Sequence, residues 1–102
     1  MWLINSKKLC RQHLLGEHLE MHMFKGTIER GKSMFGYLQN NLVILGMIKK
    51  RHDELVKEMI NRGYNHKSQL NEFNEGKGGK VNIKNNIIEL KRKCKDCKKL
   101  LK

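Results

Sequence analysis

The stretch CRQHLLGEHLEMHMF, Cys10 to Phe24, constrains the fold more than any other part of the chain. At 3.6 residues per turn, Leu9, Cys10, Leu14, Met21 and Phe24 fall on one arc of a helix, and that arc must be buried against a neighbour. His13, Glu17 and Glu20 lie within the same arc, as does Gly16. A carboxylate aimed at a core is costly unless it is paired or lines a cleft. Two readings follow. One is a satisfied polar network, with His13 bonding Glu17 one turn on and Glu20 capping another helix. The other is a carboxylate on the floor of a cleft, where partial desolvation suits it to general acid–base chemistry. Gly16 lowers helix stability by ~1 kcal/mol relative to Ala. It also leaves a gap beside Glu20 that a backbone or a ligand could approach.

His18 and His22 fall on the opposite side of this helix and share a face. Their spacing is compatible with a metal, but HLEMH is not HExxH. They read as solvent-facing or phosphate-contacting, so no metal is expected there.

The rest of the chain predicts an all-α fold: one compact domain, 1–102, of three main helices joined by irregular loops. The first helix begins after Ser6, a suitable N-cap, and runs to Phe24 or Lys25. KGTIERGKSMFGYLQNN carries Gly26, Gly31 and Gly36 and reads as irregular with short helical turns. Ile44, Ile48, Leu55 and Met59 recur at helical spacing and predict a second helix from about Leu42 to Arg62. Gly63 stops that helix, and Arg62 suits its negative end. His52 on its apolar face reads as a hydrogen-bonded core histidine. NEFNEGKGGKVN is a glycine-rich loop. A basic third helix follows, about 85–102, with Ile87, Leu90, Cys94, Cys97 and Leu101 on one stripe. No strand pair is evident, although KVNIK suits a short extended piece.

Charge narrows the function. With 22 basic and 10 acidic residues the formal charge is +12, which favours a polyanionic partner and nucleic acid above all. No apolar run approaches the ~20 residues that span a bilayer. The start lacks the features of a signal peptide, and three cysteines do not make a disulfide framework. An intracellular, reducing location and no membrane partner are therefore expected. Lys91, Arg92, Lys93, Lys95, Lys98, Lys99 and Lys102 exceed what a helix C-terminus needs for its dipole, so phosphate contacts are expected from this helix. Cys94 and Cys97 form CxxC. As a zinc half-site it lacks a second pair, since Cys10 is the only other cysteine. As a redox motif it should open a helix after a strand, and here it lies inside the third helix. Both thiols read as core, and a zinc-stabilised module is the weakest of the functional readings.

QHLLGEHLEMH, followed by KKRHDELVKEMINRGYNHKS, resembles the pyrimidine-dimer DNA glycosylases of the phage endonuclease V type. The likeness covers roughly Leu9 to Ser68. It implies a mostly helical domain without disulfide, metal or other cofactor, acting as a monomer on damaged double-stranded DNA, pyrimidine dimers included. It implies two coupled reactions, base release by an N-terminal α-amine and strand cleavage through the resulting imine. The family's essential glutamate falls on Glu20, its active-site histidine on His13 and the preceding glutamine on Gln12. An α-amine, with an ordinary pKa of ~7.7–8.0, is a better nucleophile near neutrality than a lysine at ~10.4. The family's amine belongs to a small residue exposed by loss of the initiator Met. Trp2 is too large for that removal, so the amine here is expected on Met1. The segment before the helix is about three residues shorter than in the family. Two family arginines fall on Leu19 and Met23, leaving Arg11, Lys25 and Arg30 as basic residues able to replace them. Lys91, Arg92 and Lys95 are further expected DNA contacts. The family's aromatic tail has no counterpart. These departures leave one rival, a non-catalytic basic protein that binds DNA or RNA on the same scaffold.

Overall fold

A computed structural model describes residues 1–66 and 69–101; Lys67, Ser68 and Lys102 lie outside the described residues, and with them the last residues of the second family motif and one basic residue of the C-terminal run. A 3₁₀ turn, Ser6–Lys8, is followed by α1, Arg11–Glu29; α2, Phe35–Gln39; β1, Leu42–Leu45; α3, Ile48–Asn61; β2, Gly78–Val81; α4, Ile83–Lys93; and α5, Lys95–Leu100. The molecule is mostly helical, but it is not all-α: β1 and β2 form an antiparallel pair, with Leu42 opposite Val81 and Leu45 opposite Gly78. Among the described residues no helix is long and apolar enough to cross a membrane.

The core is built on α1 against α3. Leu14, Met21 and Phe24 of α1 meet Ile48, Leu55 and Met59 of α3, with Leu9, Val43 and Leu90 closing the edges. Contrary to expectation, α1 starts at Arg11 with Cys10 as its N-cap residue, and it continues through Gly26 to Glu29. The expected second helix is shorter by six residues at its start. Asn41 and Gly46 both take positive φ, 56° and 92°, and so interrupt helical backbone on either side of LVIL. The aliphatic, half β-branched segment between them extends into β1. Glu75, in the loop before β2, caps the true start of α3, its carboxylate accepting from Ile48 N at 2.6 Å and Lys49 N at 3.3 Å. Gly63, at φ 79°, ends α3 as expected.

Gly79 explains how the glycine-rich loop becomes a strand. Its φ is 95°, and a Cβ there would sit 2.3 Å from the carbonyl oxygen of Val43. Only glycine lets β2 come that close to β1. The basic C-terminal helix is also not continuous. Asn82 caps α4 through its side chain, the chain bends at Cys94 (φ −132°, ψ 114°), and Cys94 caps α5. The CxxC therefore does open a helix, a short one, rather than lying inside one.

Candidate active site

The α-amine of Met1 donates a hydrogen bond to Glu20 Oε1 and another, 3.0 Å long, to the carbonyl oxygen of Leu42 in β1. The first expectation from the wheel is thus met in one respect: Glu20 is half-buried, on the side of α1 where the N-terminal segment lies. The Met1 side chain is buried in the core, which anchors the amine.

Glu17 holds the segment behind that amine. It is buried, and its Oε2 accepts from Trp2 N at 3.1 Å and Leu3 N at 3.5 Å. Leu3 has φ 53°, a left-handed turn that costs a residue with a Cβ on the order of 1 kcal/mol; the two bonds from Glu17 hold it. Arg51 of α3 completes the arrangement. Its Nε and one terminal nitrogen reach Glu17 at 2.7 and 2.9 Å, and the same terminal nitrogen donates to Ile4 O at 2.8 Å. Burial acts to lower the Arg51 pKa, but the bonds and charge of Glu17, then of Glu54, outweigh it and leave the guanidinium raised. From the other side Asn86 of α4 donates to Trp2 O at 2.9 Å. Arg51 and Asn86 hold the segment that carries the amine and are not singled out by the sequence. Glu17 was visible as a carboxylate in an apolar arc, but its partner was expected to be His13, and Arg51 is 34 residues away.

His13 is not part of this pair. Its Nδ1 is 3.2 Å from Cys10 Sγ and 3.6 Å from Cys97 Sγ, and its ring meets Trp2 edge-on with centroids 6.1 Å apart. Cys10 Sγ is in turn 3.7 Å from Cys94 Sγ. Burial pushes the Cys97 thiol up to about 12, whereas the backbone N–H of Cys97 holds Cys94 below the usual thiol range. Gly16 is exposed, with nothing within 4 Å of where a Cβ would stand, so the face beside Glu20 is open.

The expectation for His18 and His22 is corrected. His18 is buried and His22 half-buried, because α3 packs along that flank and widens the buried arc of α1. The His18 ring lies tilted over that of buried His52, the His22 ring meets both edge-on, and His18 Nε2 is 3.0 Å from His66 Nε2. His52 is the core histidine expected, bonded to Asp53 at 2.9 Å.

Of the expected DNA contacts, Gln12, Arg11, Arg30, Lys91, Arg92 and Lys95 are exposed. Arg11 lies over the Tyr64 ring, Lys25 pairs with Glu29, and Arg92 pairs with Glu89. Leu19 and Met23 flank Glu20 and are exposed at 66% and 39%. A groove lined by Asn41, Lys80, Val81, Asn82, Ile83 and Lys84 opens along the end of β2 and the start of α4, with Asn41 preceding the strand whose Leu42 carbonyl holds the amine. Lys80 and Lys84 were not singled out in the sequence, where only the net charge hinted at them.

A basic helical domain with a terminal amine held on a carboxylate is the class of protein defined here. Its family follows from comparison: the model of the pyrimidine dimer DNA glycosylases matches residues 1–72, and the chain belongs to that family. No curated protein and no solved structure gave a match. The family match spans the N-terminal segment through α3 and stops before β2, α4 and α5.

Proposed function

We propose that this DNA glycosylase couples base release to abasic-site cleavage, with the Met1 α-amine as nucleophile and Glu20 as its acid–base partner. The observation that supports this reading is the hydrogen bond between that amine and Glu20, made inside a segment that Glu17, Arg51 and Asn86 hold in place. Glu20 accepts a proton from the ammonium, and the free amine attacks C1′ of the damaged nucleotide. The C1′–N bond breaks and the base leaves with its electron pair. The attached nitrogen loses one of its two protons, and opening of the sugar with proton transfer to O4′ gives a protonated imine. Removal of a C2′ proton then expels the 3′ phosphate and cuts the strand. Glu20 is placed to carry protons in each step, a role worth about 10²–10⁴ in rate.

The substrate is double-stranded DNA carrying a lesion, pyrimidine dimers first, since weakened stacking lowers the cost of extruding the nucleotide. Arg11, Gln12, Arg30, Lys91, Arg92 and Lys95 act on phosphates rather than in the chemistry. His13 is left out of the catalytic pair because it faces the thiols. The free cysteines are consistent with a reducing, intracellular location.

Borohydride trapping on dimer-containing or abasic DNA tests the reading. A covalent adduct attached at Met1, identified by mass spectrometry, is expected. An adduct that persists after the N-terminus is blocked overturns the role of the amine. Glu20→Gln should lower turnover about 10²–10⁴-fold with DNA affinity nearly unchanged; unaltered turnover removes Glu20 from the mechanism. A second reading, binding without catalysis, is favoured by exposed Leu19 and Met23 where the resemblance implies arginines. It requires strongly salt-dependent binding with no adduct and no cleavage on either substrate.

A further inference from the structure

Cys10, His13, Cys94 and Cys97 offer one ligand atom each, and all four atoms lie within 4.8 Å of one another. We infer that these residues form a closed, tetrahedral zinc site that fastens the C-terminal helices to the start of α1.

The geometry is that of a coordination shell rather than of packed thiols. Zinc–sulfur and zinc–nitrogen bonds of about 2.3 and 2.0–2.1 Å set tetrahedral edges of about 3.8 Å between sulfurs and about 3.6 Å between sulfur and nitrogen. The structure has Cys10 Sγ to Cys94 Sγ at 3.7 Å, Cys97 Sγ to His13 Nδ1 at 3.6 Å and Cys10 Sγ to His13 Nδ1 at 3.2 Å. A disulfide needs about 2.05 Å, and any one disulfide would strand the third cysteine and the imidazole. Thiols packed only as hydrophobes would face aliphatic neighbours, whereas these turn toward one another.

The two half-sites are built alike. Cys10 is the N-cap residue of α1 with His13 three residues on; Cys94 is the N-cap residue of α5 with Cys97 three residues on. Both ligand pairs therefore project from the first turn of a helix. Backbone N–H groups already point at sulfur: Cys10 N donates to Cys97 Sγ at 3.3 Å and Cys97 N to Cys94 Sγ at 3.5 Å. Such donors favour the thiolate form that a metal requires. Three thiolates, one neutral imidazole and Zn²⁺ carry a net charge of −1, and Lys91, Lys93, Lys95, Lys98 and Lys99 surround it in sequence. Cys10 and Cys97 are buried, and four protein ligands leave no open position, so the ion is structural rather than catalytic.

From the sequence, zinc is the weakest reading for want of a second pair. The fold supplies it as Cys10-x-x-His13, 84 residues from Cys94. The inference is independent of the proposed amine chemistry; two of the four ligands, Cys94 and Cys97, lie beyond the family match.

Metal analysis of the full chain, purified without chelator, tests it. About one zinc per chain is expected. Cobalt substitution should give sulfur-to-cobalt charge-transfer absorption and the intense visible bands of tetrahedral cobalt. Cys94→Ser and Cys97→Ser should each lose the metal. Because those variants need not fold, His13→Cys supplies a second test: it should keep one metal per chain and shift the visible cobalt bands. Three results overturn the inference. They are a folded protein that retains no zinc and gives no charge-transfer band, a metal unaffected by the serine variants but lost in His18→Ala, and a Cys10–Cys94 disulfide in protein purified without oxygen.

Discussion

Two neighbouring corners along one helix face opposite electrostatic problems. Around Glu17 and Glu20, each carboxylate meets a charge of opposite sign or a backbone N–H: Arg51 and Trp2 N for Glu17, the Met1 amine for Glu20. One or two turns earlier, at Cys10 and His13, four lone-pair donors converge on one another. The first corner satisfies itself within the chain and so can present a poised amine. The second is complete only with a cation. Both corners hold distant segments to α1, the first the N-terminus, the second α4 and α5.

The contrast breaks most readily at Arg51. Arg51→Met leaves Glu17 buried and uncompensated, and removing one partner of a buried pair costs about 3–5 kcal/mol. A large fall in the midpoint of thermal unfolding is expected, partly recovered in the double variant with Glu17→Gln. A loss below about 1 kcal/mol would mean that water reaches Glu17 and that the corner is not self-contained.

Metal removal probes the other corner. An ion held at about 1,000 times its Kd stabilises a fold by ~4.1 kcal/mol. Its removal by a chelator should lower Tm by about 4–8 °C for each kcal/mol in a domain of this size. Thermal scans with and without chelator measure this, and re-addition of zinc should restore the value.

Gly79→Ala sharpens the comparison from the sheet. With φ at 95° and the Val43 carbonyl in the way, it should destabilise by at least about 2 kcal/mol. It should also lower imine trapping, since β1 carries the Leu42 carbonyl that positions the amine; zinc content should not change. Equal loss of zinc would show that the two corners do not act separately. The smallest effect is Gly16→Ala. With open space around the new methyl group, stability should rise by ~1 kcal/mol in denaturant unfolding. Weaker binding to damaged DNA in the same variant would place a DNA backbone against that face.

Much of α1 was legible because its apolar residues keep one helical period for four turns. Glu20 stood out as a carboxylate inside that stripe. β1 was not legible: Leu42, Val43, Ile44 and Leu45 extend the helical spacing of α3, and only positive φ at Asn41 and Gly46 separates them. His18 was misjudged because a wheel shows one helix, whereas α3 covers a second flank of it. Arg51 and Asn86 were invisible because their partners are 34 and 84 residues distant.

By itself the sequence determined the family, the basic charge, the main helix pair and the place of Glu20 on the apolar side of its helix, because periodicity, charge and motif are local and survive in one dimension. The tertiary structure alone decided that the Met1 amine meets Glu20, that Glu17 is answered by Arg51, and that two half-motifs at opposite ends of the chain come together in one cluster. Those are matters of chain reversal, in which residues tens of positions apart come within bonding distance only after the core has closed.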